Sequence, residues 1–161
     1  MQGITYRRAL NSDFEAIQNI LKATFKEYEI NLPDNYSFSD VENLEEEYLN
    51  ATGEFIVILR QKYIIGFFAL LPSNNNQIEI KRLYLIASER GQGLGDYILK
   101  LALRSAKKSG YYRIHLETTS KFVEAVSLYR KYGFTKNVGA RLAQGHDIGL
   151  VMDIGLDNNF I

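Results

Sequence analysis

Three glycines in the run Arg90-Gly91-Gln92-Gly93-Leu94-Gly95 stand between an apolar, β-rich segment (Ile78 to Ile86) and an amphipathic segment that begins at Leu94. Their spacing is Arg90-x-x-Gly93-x-Gly95. A strand, a glycine turn and a helix N-terminus in that order make an anion cradle. Glycine lets the backbone approach a ligand closely. The first N–H groups of a helix lack internal acceptors, and the helix dipole favours negative charge there. The expected ligand carries phosphate. A Rossmann fingerprint would open a domain and place an acid ~20 residues further on, and a P-loop would need Gly-Lys-Ser/Thr. Here the turn lies past the middle of the chain, and residues 93–96 read Gly-Leu-Gly-Asp.

The elements that must position this turn are legible from periodicity. Ile4–Ala9 suits a strand. Asn11, Ser12 and Asp13 offer N-cap oxygens, and a helix is expected to about Glu29, with Phe14, Ile17, Leu21, Phe25 and Tyr28 on one stripe. Asn31–Ser37, with Pro33, reads as a loop. A short acidic helix is expected over Ser39–Leu49, with Val41, Leu44 and Tyr48 facing in. Glu54–Arg60 and Ile64–Leu71 read as a hairpin, Pro72–Asn76 as a turn and Gln77–Ile86 as a long strand. The helix from Leu94 stops near Ser109-Gly110. Arg113–Thr118 reads as a strand and Phe122–Lys131 as a helix. Phe134–Arg141 and Ile148–Leu156 read as closing strands, with Asp157–Ile161 a tail. The mixed order implies an α/β or α+β sheet with helices on both faces.

The chain has 161 residues, 46% of them hydrophobic, and equal numbers of basic and acidic groups, 19 of each. That suits one domain, taken as residues 1–161, with a real core. A net charge of zero argues against a general nucleic-acid binder. No apolar run approaches the ~20 residues that span a bilayer, and the first residues lack a signal peptide's apolar core. A cytoplasmic location without membrane attachment is the expectation. There is no cysteine and there are two histidines, His115 and His146, so no metal site is expected and thiolate chemistry is absent. Charge is uneven. Residues 27–54 hold nine acids and no Lys or Arg, while residues 81–113 hold eight bases and two acids. An anionic cofactor beside the basic segment and a cationic acceptor beside the acidic one would fit, as would two solvated helix faces.

A second motif follows: Ala125-x-x-Leu128-Tyr129-x-x-x-Gly133-Phe134. With it the chain resembles the GNAT superfamily of acetyl-CoA-dependent N-acetyltransferases. Glu79-Ile-Lys-Arg-Leu-Tyr-Leu85 is similar to the family's fourth strand and Arg90-x-x-Gly93-x-Gly95 to its pyrophosphate loop. Gly110–Thr118 is similar to its fifth strand, and the Tyr129 segment to the helix after it. The resemblance covers about residues 77–134. It implies a mostly antiparallel mixed sheet of about seven strands with a splayed pair. It also implies acetyl-CoA as acyl donor. Backbone N–H groups around Gly91, Gln92, Gly93, Leu94, Gly95 and Asp96 would hold the pyrophosphate, and Arg90 would assist. The backbone of Leu83, Tyr84 and Leu85 would hold the pantetheine arm.

Tyr129 stands at the family's general-acid position. A phenol with a pKa near ~10 is protonated at neutral pH and can protonate a departing thiolate. Read without the family, Tyr129 is a core tyrosine. Glu79 is the first candidate for general base toward an amine; it reads as readily as a strand residue paired with Lys81 or Arg82. Glu27 and Glu29 are alternatives. Many members carry asparagine at the position of Phe122, so a side-chain hydrogen bond to cofactor is not expected there. The implied reaction is direct acetyl transfer to a primary amine, on a small molecule, peptide or protein. A homodimer is compatible with the family. A catalytically silent acyl-CoA sensor is the alternative, and a cofactor-free partner-binding domain is a weaker one.

Overall fold

The computed structural model of the protein describes residues 3–31, 38–50, 52–73 and 76–155. The loop at 32–37, with Pro33 and Asp34, the tip of the turn at 74–75 and the tail from 156 lie outside the described residues. The strands are β1 (Ile4–Arg8), β2 (Glu54–Arg60), β3 (Tyr63–Pro72), β4 (Gln77–Leu85), β5 (Arg113–Thr118), β6 (Thr135–Lys136) and β7 (Ile148–Asp153). The helices are α1 (Phe14–Glu27), α2 (Ser39–Glu42), α3 (Leu94–Lys108) and α4 (Val123–Lys131). All seven strands form one sheet in the order β1-β2-β3-β4-β5-β7-β6. Every neighbouring pair is antiparallel except β4 and β5, which run parallel.

Two cores explain the apolar runs. Phe55, Val57, Leu59, Phe67 and Ala69 face one side, against Ile17, Leu21 and Phe25 of α1 and Val41 of α2. Ile56, Ile58, Phe68, Leu70, Ile78 and Ile80 face the other, against Leu94, Ile98, Leu99 and Ala102 of α3 and Tyr129 of α4. Because β2 and β3 are covered on both faces, they read as continuous hydrophobic runs; a sheet with one wet face would alternate.

Two expected elements come out shorter. The acidic helix breaks at Asn43 (φ −126, ψ 76) into α2 and a π-turn over Glu45–Leu49. The Asn43 amide bonds the Glu46 carboxylate at 2.6 Å, a side-chain alternative to helical hydrogen bonding. The strand expected over Phe134–Arg141 is only Thr135–Lys136, and by Gly139 the chain has turned left-handed (φ +89). At the chain start, Asp13 accepts from the Leu10 N–H at 2.8 Å and holds Arg7 in a two-pronged ion pair at 2.7 and 2.9 Å.

The feature that shapes the site is a parallel pair that stops. β4 and β5 pair only at Gln77↔Arg113, Ile78↔Ile114 and Glu79↔His115. Beyond Glu79 the two strands part. β4 stays with β3 to Leu85, and β5 stays with β7 to Thr118. Within β4 lies a bulge: Ala69 pairs with Lys81 and Phe67 with Tyr84, so Phe68 alone stands opposite Arg82 and Leu83. Arg82 takes a left-handed backbone (φ +55), which costs a non-glycine residue on the order of 1–3 kcal/mol. Next to it, β3 and β4 approach so closely that a Cβ on Gly66 would lie 2.6 Å from the Tyr84 carbonyl oxygen.

That contact gives a direct test of the β3–β4 geometry. Gly66→Ala forces β4 to move, and we expect a loss of about 1–3 kcal/mol in unfolding free energy. Denaturant titration measures it. Wild-type stability in this variant would mean that the approach is not tight.

Candidate active site

The chain leaves β4 through a single 3-10 turn, Ala87–Glu89, and reaches Gly91 and Gly93, both left-handed (φ +74 and +79). Gly93 is the N-cap of α3. A Cβ at either glycine would meet nothing within 4 Å, so the loop presents bare backbone to open space. Among the described residues, the N–H groups of Gly91, Gln92, Gly93, Leu94, Gly95 and Asp96 have no hydrogen-bond acceptor. A row of unpartnered donors at a helix N-terminus is the arrangement that binds phosphate. Gly95 packs α3 toward α4, its Cβ position 3.6 Å from Leu128.

Side chains pin this loop from outside. Glu89 grips Arg60 through two bonds of 2.7 and 2.6 Å. Arg90 turns its guanidinium back into the chain: Nε donates to the Leu85 carbonyl at 2.9 Å and Nη1 to Glu27 at 2.7 Å. Nη1 also reaches the Tyr28 hydroxyl at 3.3 Å, with the guanidinium over the Tyr28 ring at 5.4 Å. The hydroxyl in turn donates to Glu124 of α4 at 3.1 Å. Arg90 therefore ties the loop to the end of α1. Gln92 likewise donates to the Ser88 carbonyl at 3.3 Å.

Asp96 is the one acid in the first turn of α3. Its carboxylate turns to Lys131 at 3.0 Å and Lys100 at 3.1 Å. Hydrogen bonds from Lys131 and Tyr132, with Lys100 beside them, bring it down to about 2. Paired so, it adds little negative charge at the cradle.

The gap between β4 and β5 opens beside this loop. Leu83 packs on the same core as Tyr129, while Tyr84 points to the other face, its ring 6.0 Å from both Phe25 and Phe122. Tyr129 is 5% exposed, with its ring edge-on to Phe134 at 5.7 Å. Among the described residues its hydroxyl has no hydrogen-bond partner. Burial, with a smaller push from Tyr84, raises its pKa well above an ordinary phenol's and keeps it protonated.

Glu79 stands at the last paired position before the gap, half-buried. Burial pushes its carboxyl up, Lys81 opposes and Glu117 reinforces. His115, its partner across the strands, keeps a buried Nδ1 without a hydrogen bond, and burial pushes its imidazole down. On the loop before β7, His146 lies 3.6 Å from Glu117, and burial, together with Arg82 and Lys81, pushes it down as well. Glu117 also accepts the Ala143 N–H at 2.8 Å.

Glu79 and Leu83 to Leu85 thus lie on the strand that parts from β5, the glycine loop follows that strand, and Tyr129 packs in the same core as Leu83. Two concavities lie elsewhere, one of about 400 Å³ lined by Arg113, Tyr132 and Met152, the other of about 720 Å³ under the β6–β7 connection. The contacts of Arg82, Asp40, Tyr28, Glu117 and His146 come from across the fold, and Arg82 pairs with Asp40 where the sequence suggests Glu79. Tyr28 and Tyr48 were legible as inward-facing, and their hydroxyl contacts were not. No group of three or more His, Asp or Glu with metal-binding geometry occurs among the described residues. No helix there is long and apolar enough to cross a membrane.

Comparison with known proteins places this geometry. Residues 14–134 match the family model described as the acetyltransferase (GNAT) family. The chain is 26% identical over 138 residues to the uncharacterized N-acetyltransferase YjgM of Escherichia coli K12, covering 83% of each. It is 32% identical over 103 residues to rat N-acetyltransferase family 8 member 2, of whose longer chain it spans 46%. A GNAT-family acetyltransferase from Staphylococcus aureus Mu50 has the same fold, with a TM-score of 0.86 at 21% identity over 94% of this chain and 99% of that one. So does yncA of Salmonella typhimurium, a putative acetyltransferase solved with acetyl-CoA, with a TM-score of 0.75 at 17% identity over 98% and 97%.

The Asp96 pairing has a pH signature. A folded-state pKa below the unfolded one stabilises the protein above about pH 4, and that contribution is lost as pH falls toward 2. Asp96→Asn should therefore lower stability at neutral pH, with the difference from wild type closing by about pH 2. Denaturation across that range measures it; a pH-independent difference would remove the ion pairs as its cause.

Proposed function

The chain belongs to the acetyltransferase (GNAT) family, and on that premise we propose that its 161 residues form one domain moving an acetyl group from acetyl-CoA directly to a primary amine. The observation that carries this reading is the splayed β4–β5 pair opening beside a loop of unpartnered N–H groups. The fit to coenzyme A is chemical. Donors without acceptors meet a pyrophosphate, and a strand edge that β5 does not cover meets an amide-bearing pantetheine arm.

In this reading the N–H groups from Gly91 to Asp96 bind the pyrophosphate, and the backbone of Leu83, Tyr84 and Leu85 orients the arm. Acetyl-CoA supplies an activated thioester. Glu79 accepts the proton that an ammonium must lose, since an amine of pKa ~10 is mostly charged at pH 7. Its raised pKa makes it the stronger base. The amine nitrogen bonds to the acetyl carbon, the C–S bond breaks, the Tyr129 hydroxyl gives its proton to the departing sulfur, and the proton shed by the new amide nitrogen, relayed by solvent, restores the phenol. Orientation and hydrogen bonds to the developing oxyanion lower the barrier.

The acceptor is an amine on a small molecule, peptide or protein. The acidic run argues less for a cationic acceptor than its composition suggests, because four of its members are engaged within the chain: Glu27 with Arg90, Asp40 with Arg82, Glu46 with Asn43 and Glu54 with Ser105.

Thiol release from acetyl-CoA across a diverse amine panel tests the reading, and silence on every amine would leave only an acyl-CoA binder. Tyr129→Phe should lower kcat by about 10²-fold or more while the Kd for acetyl-CoA stays within about twofold; unchanged turnover removes Tyr129 from the mechanism. Gly93→Asp, which strains a left-handed position and sets a negative charge at the cradle, should weaken acetyl-CoA binding by at least about tenfold in calorimetry. Equal binding would sink the cradle.

A further inference from the structure

Arg82 sits at the bulge that precedes the part of β4 at Leu83–Leu85, which β5 does not pair, in a backbone conformation that its side chain does not favour (φ +55). Strained positions persist where the surroundings over-determine them. Here the surroundings are specific. The Arg82 guanidinium grips Asp40 of α2 through both carboxylate oxygens, Nε to Oδ2 at 2.8 Å and Nη2 to Oδ1 at 2.7 Å. Asp40 Oδ2 also accepts the Tyr48 hydroxyl at 3.1 Å. Tyr48 is 1% exposed, its ring edge-on to Phe55 of β2 at 5.1 Å. Burial, with Asp40 beside it, holds this phenol protonated as a donor. The clamp therefore runs from the bulge through α2 into the β2 core, with both ionic partners largely shielded: 15% and 23% exposed.

The bulge sets the side-chain alternation of everything after it. Ile80 faces the α3 core, so Lys81 faces α2. Arg82 faces α2 as well, and the extra residue returns Leu83 to the α3 core and Tyr84 to the α1 core. Without it, each side chain from Leu83 onward would change faces. The clamp also lies beside the proposed base, since the Glu79 carboxylate is close enough to push the Tyr48 phenol up.

We propose that the Arg82–Asp40–Tyr48 clamp is a positioning element of acetyl transfer: it holds the β4 bulge so that the backbone edge at Leu83–Leu85 is aimed at the thioester. The proposal rests on the acetyl-transfer reading of the site. Arg82 acts through the backbone and touches no reacting atom. The clamp is expected to govern turnover while leaving the hold on the coenzyme A phosphates, made at the glycine loop, unaltered.

Four full-length proteins test it: wild type, Asp40→Asn, Arg82→Gly and Arg82→Lys. Arg82→Gly is the discriminating variant, because glycine accepts the left-handed backbone while removing the clamp. Asp40→Asn keeps the volume and a Tyr48 acceptor but loses the ion pair. We expect both to lower kcat by about tenfold, with KM for acetyl-CoA and Kd for CoA within about twofold, and Arg82→Lys to fall between wild type and these two, since an ammonium keeps the charge but cannot reproduce the two-pronged contact. Amide exchange over residues 80–86 should speed up by about tenfold or more in the first two, while residues 54–60 stay protected.

Wild-type kcat and exchange in Arg82→Gly would overturn the proposal, as the bulge would then hold itself. Faster exchange throughout the sheet, with kcat falling only as the folded fraction falls, would make the clamp merely structural and overturn it too. So would a loss confined to the KM of the amine. A wild-type protein that releases no thiol with any amine would overturn the acetyl-transfer reading and this proposal together, whereas active wild type with unaffected variants overturns the proposal alone.

Discussion

A strand pair that stops pairing in the middle of a sheet is a liability, and this fold is organised around one. Buried backbone N–H and C=O groups need partners, yet from Ile80 to Leu85 the side of β4 that faces β5 has none from that strand. Continued pairing would have cost nothing in sequence, because β5 runs on to Thr118 with its other edge fully bonded to β7. What keeps the gap open is rigidity on both banks. β4 is held by β3 and bent by its bulge, β5 is held by β7, and separate helices pack on the two faces. The polar edge so created suits a ligand with its own amide groups.

The glycine loop solves a related problem at the end of the same strand. Its donors are free because α3 begins there, and they are reachable because Gly91 and Gly93 carry no side chain toward the open space. Anchoring comes from residues that do not face that space: Glu89 on Arg60, and Arg90 on Leu85, Glu27 and Tyr28. Separating the recognising backbone from the anchoring side chains lets the loop stay rigid while it remains open. The fold brings Glu27 to Arg90 from 63 residues away, a partner that its neighbours in sequence do not announce.

The parts legible in sequence are those set by local pattern. Strand β5 and the start of α3 follow from alternation and from glycine placement, and the seven-stranded mixed sheet follows from the resemblance. The shortened elements share a physical cause: Asn43 and Gly139 offer local alternatives to regular pairing that propensity over a longer window hides. The bulge at Arg82 was not legible, since arginine is an unlikely residue for a left-handed turn and nothing nearby in sequence announces Asp40 as its partner. Tyr129, Glu79 and the glycines could be named because their neighbours in sequence carry the signature. Arg82, Glu117 and His146 could not, because their roles come from contacts across the fold.

The electrostatics of the opening follow from what the chain has already neutralised. Arg82 is paired with Asp40, and Glu117 is engaged by the Ala143 N–H with His146 close by. Glu79 remains half-buried without a hydrogen bond among the described residues, with Lys81 near enough to lower its pKa and Glu117 near enough to raise it. A carboxylate so placed is poorly solvated, and an arriving ammonium would supply the partner it lacks. In the proposed reaction the proton then passes from that ammonium to the carboxylate, and both groups become neutral. Where water is scarce, cancelling two charges is favoured over keeping them apart. The burial that weakens Glu79 as an acid is therefore what would help it release a nucleophilic amine at the strand edge proposed for acetyl transfer.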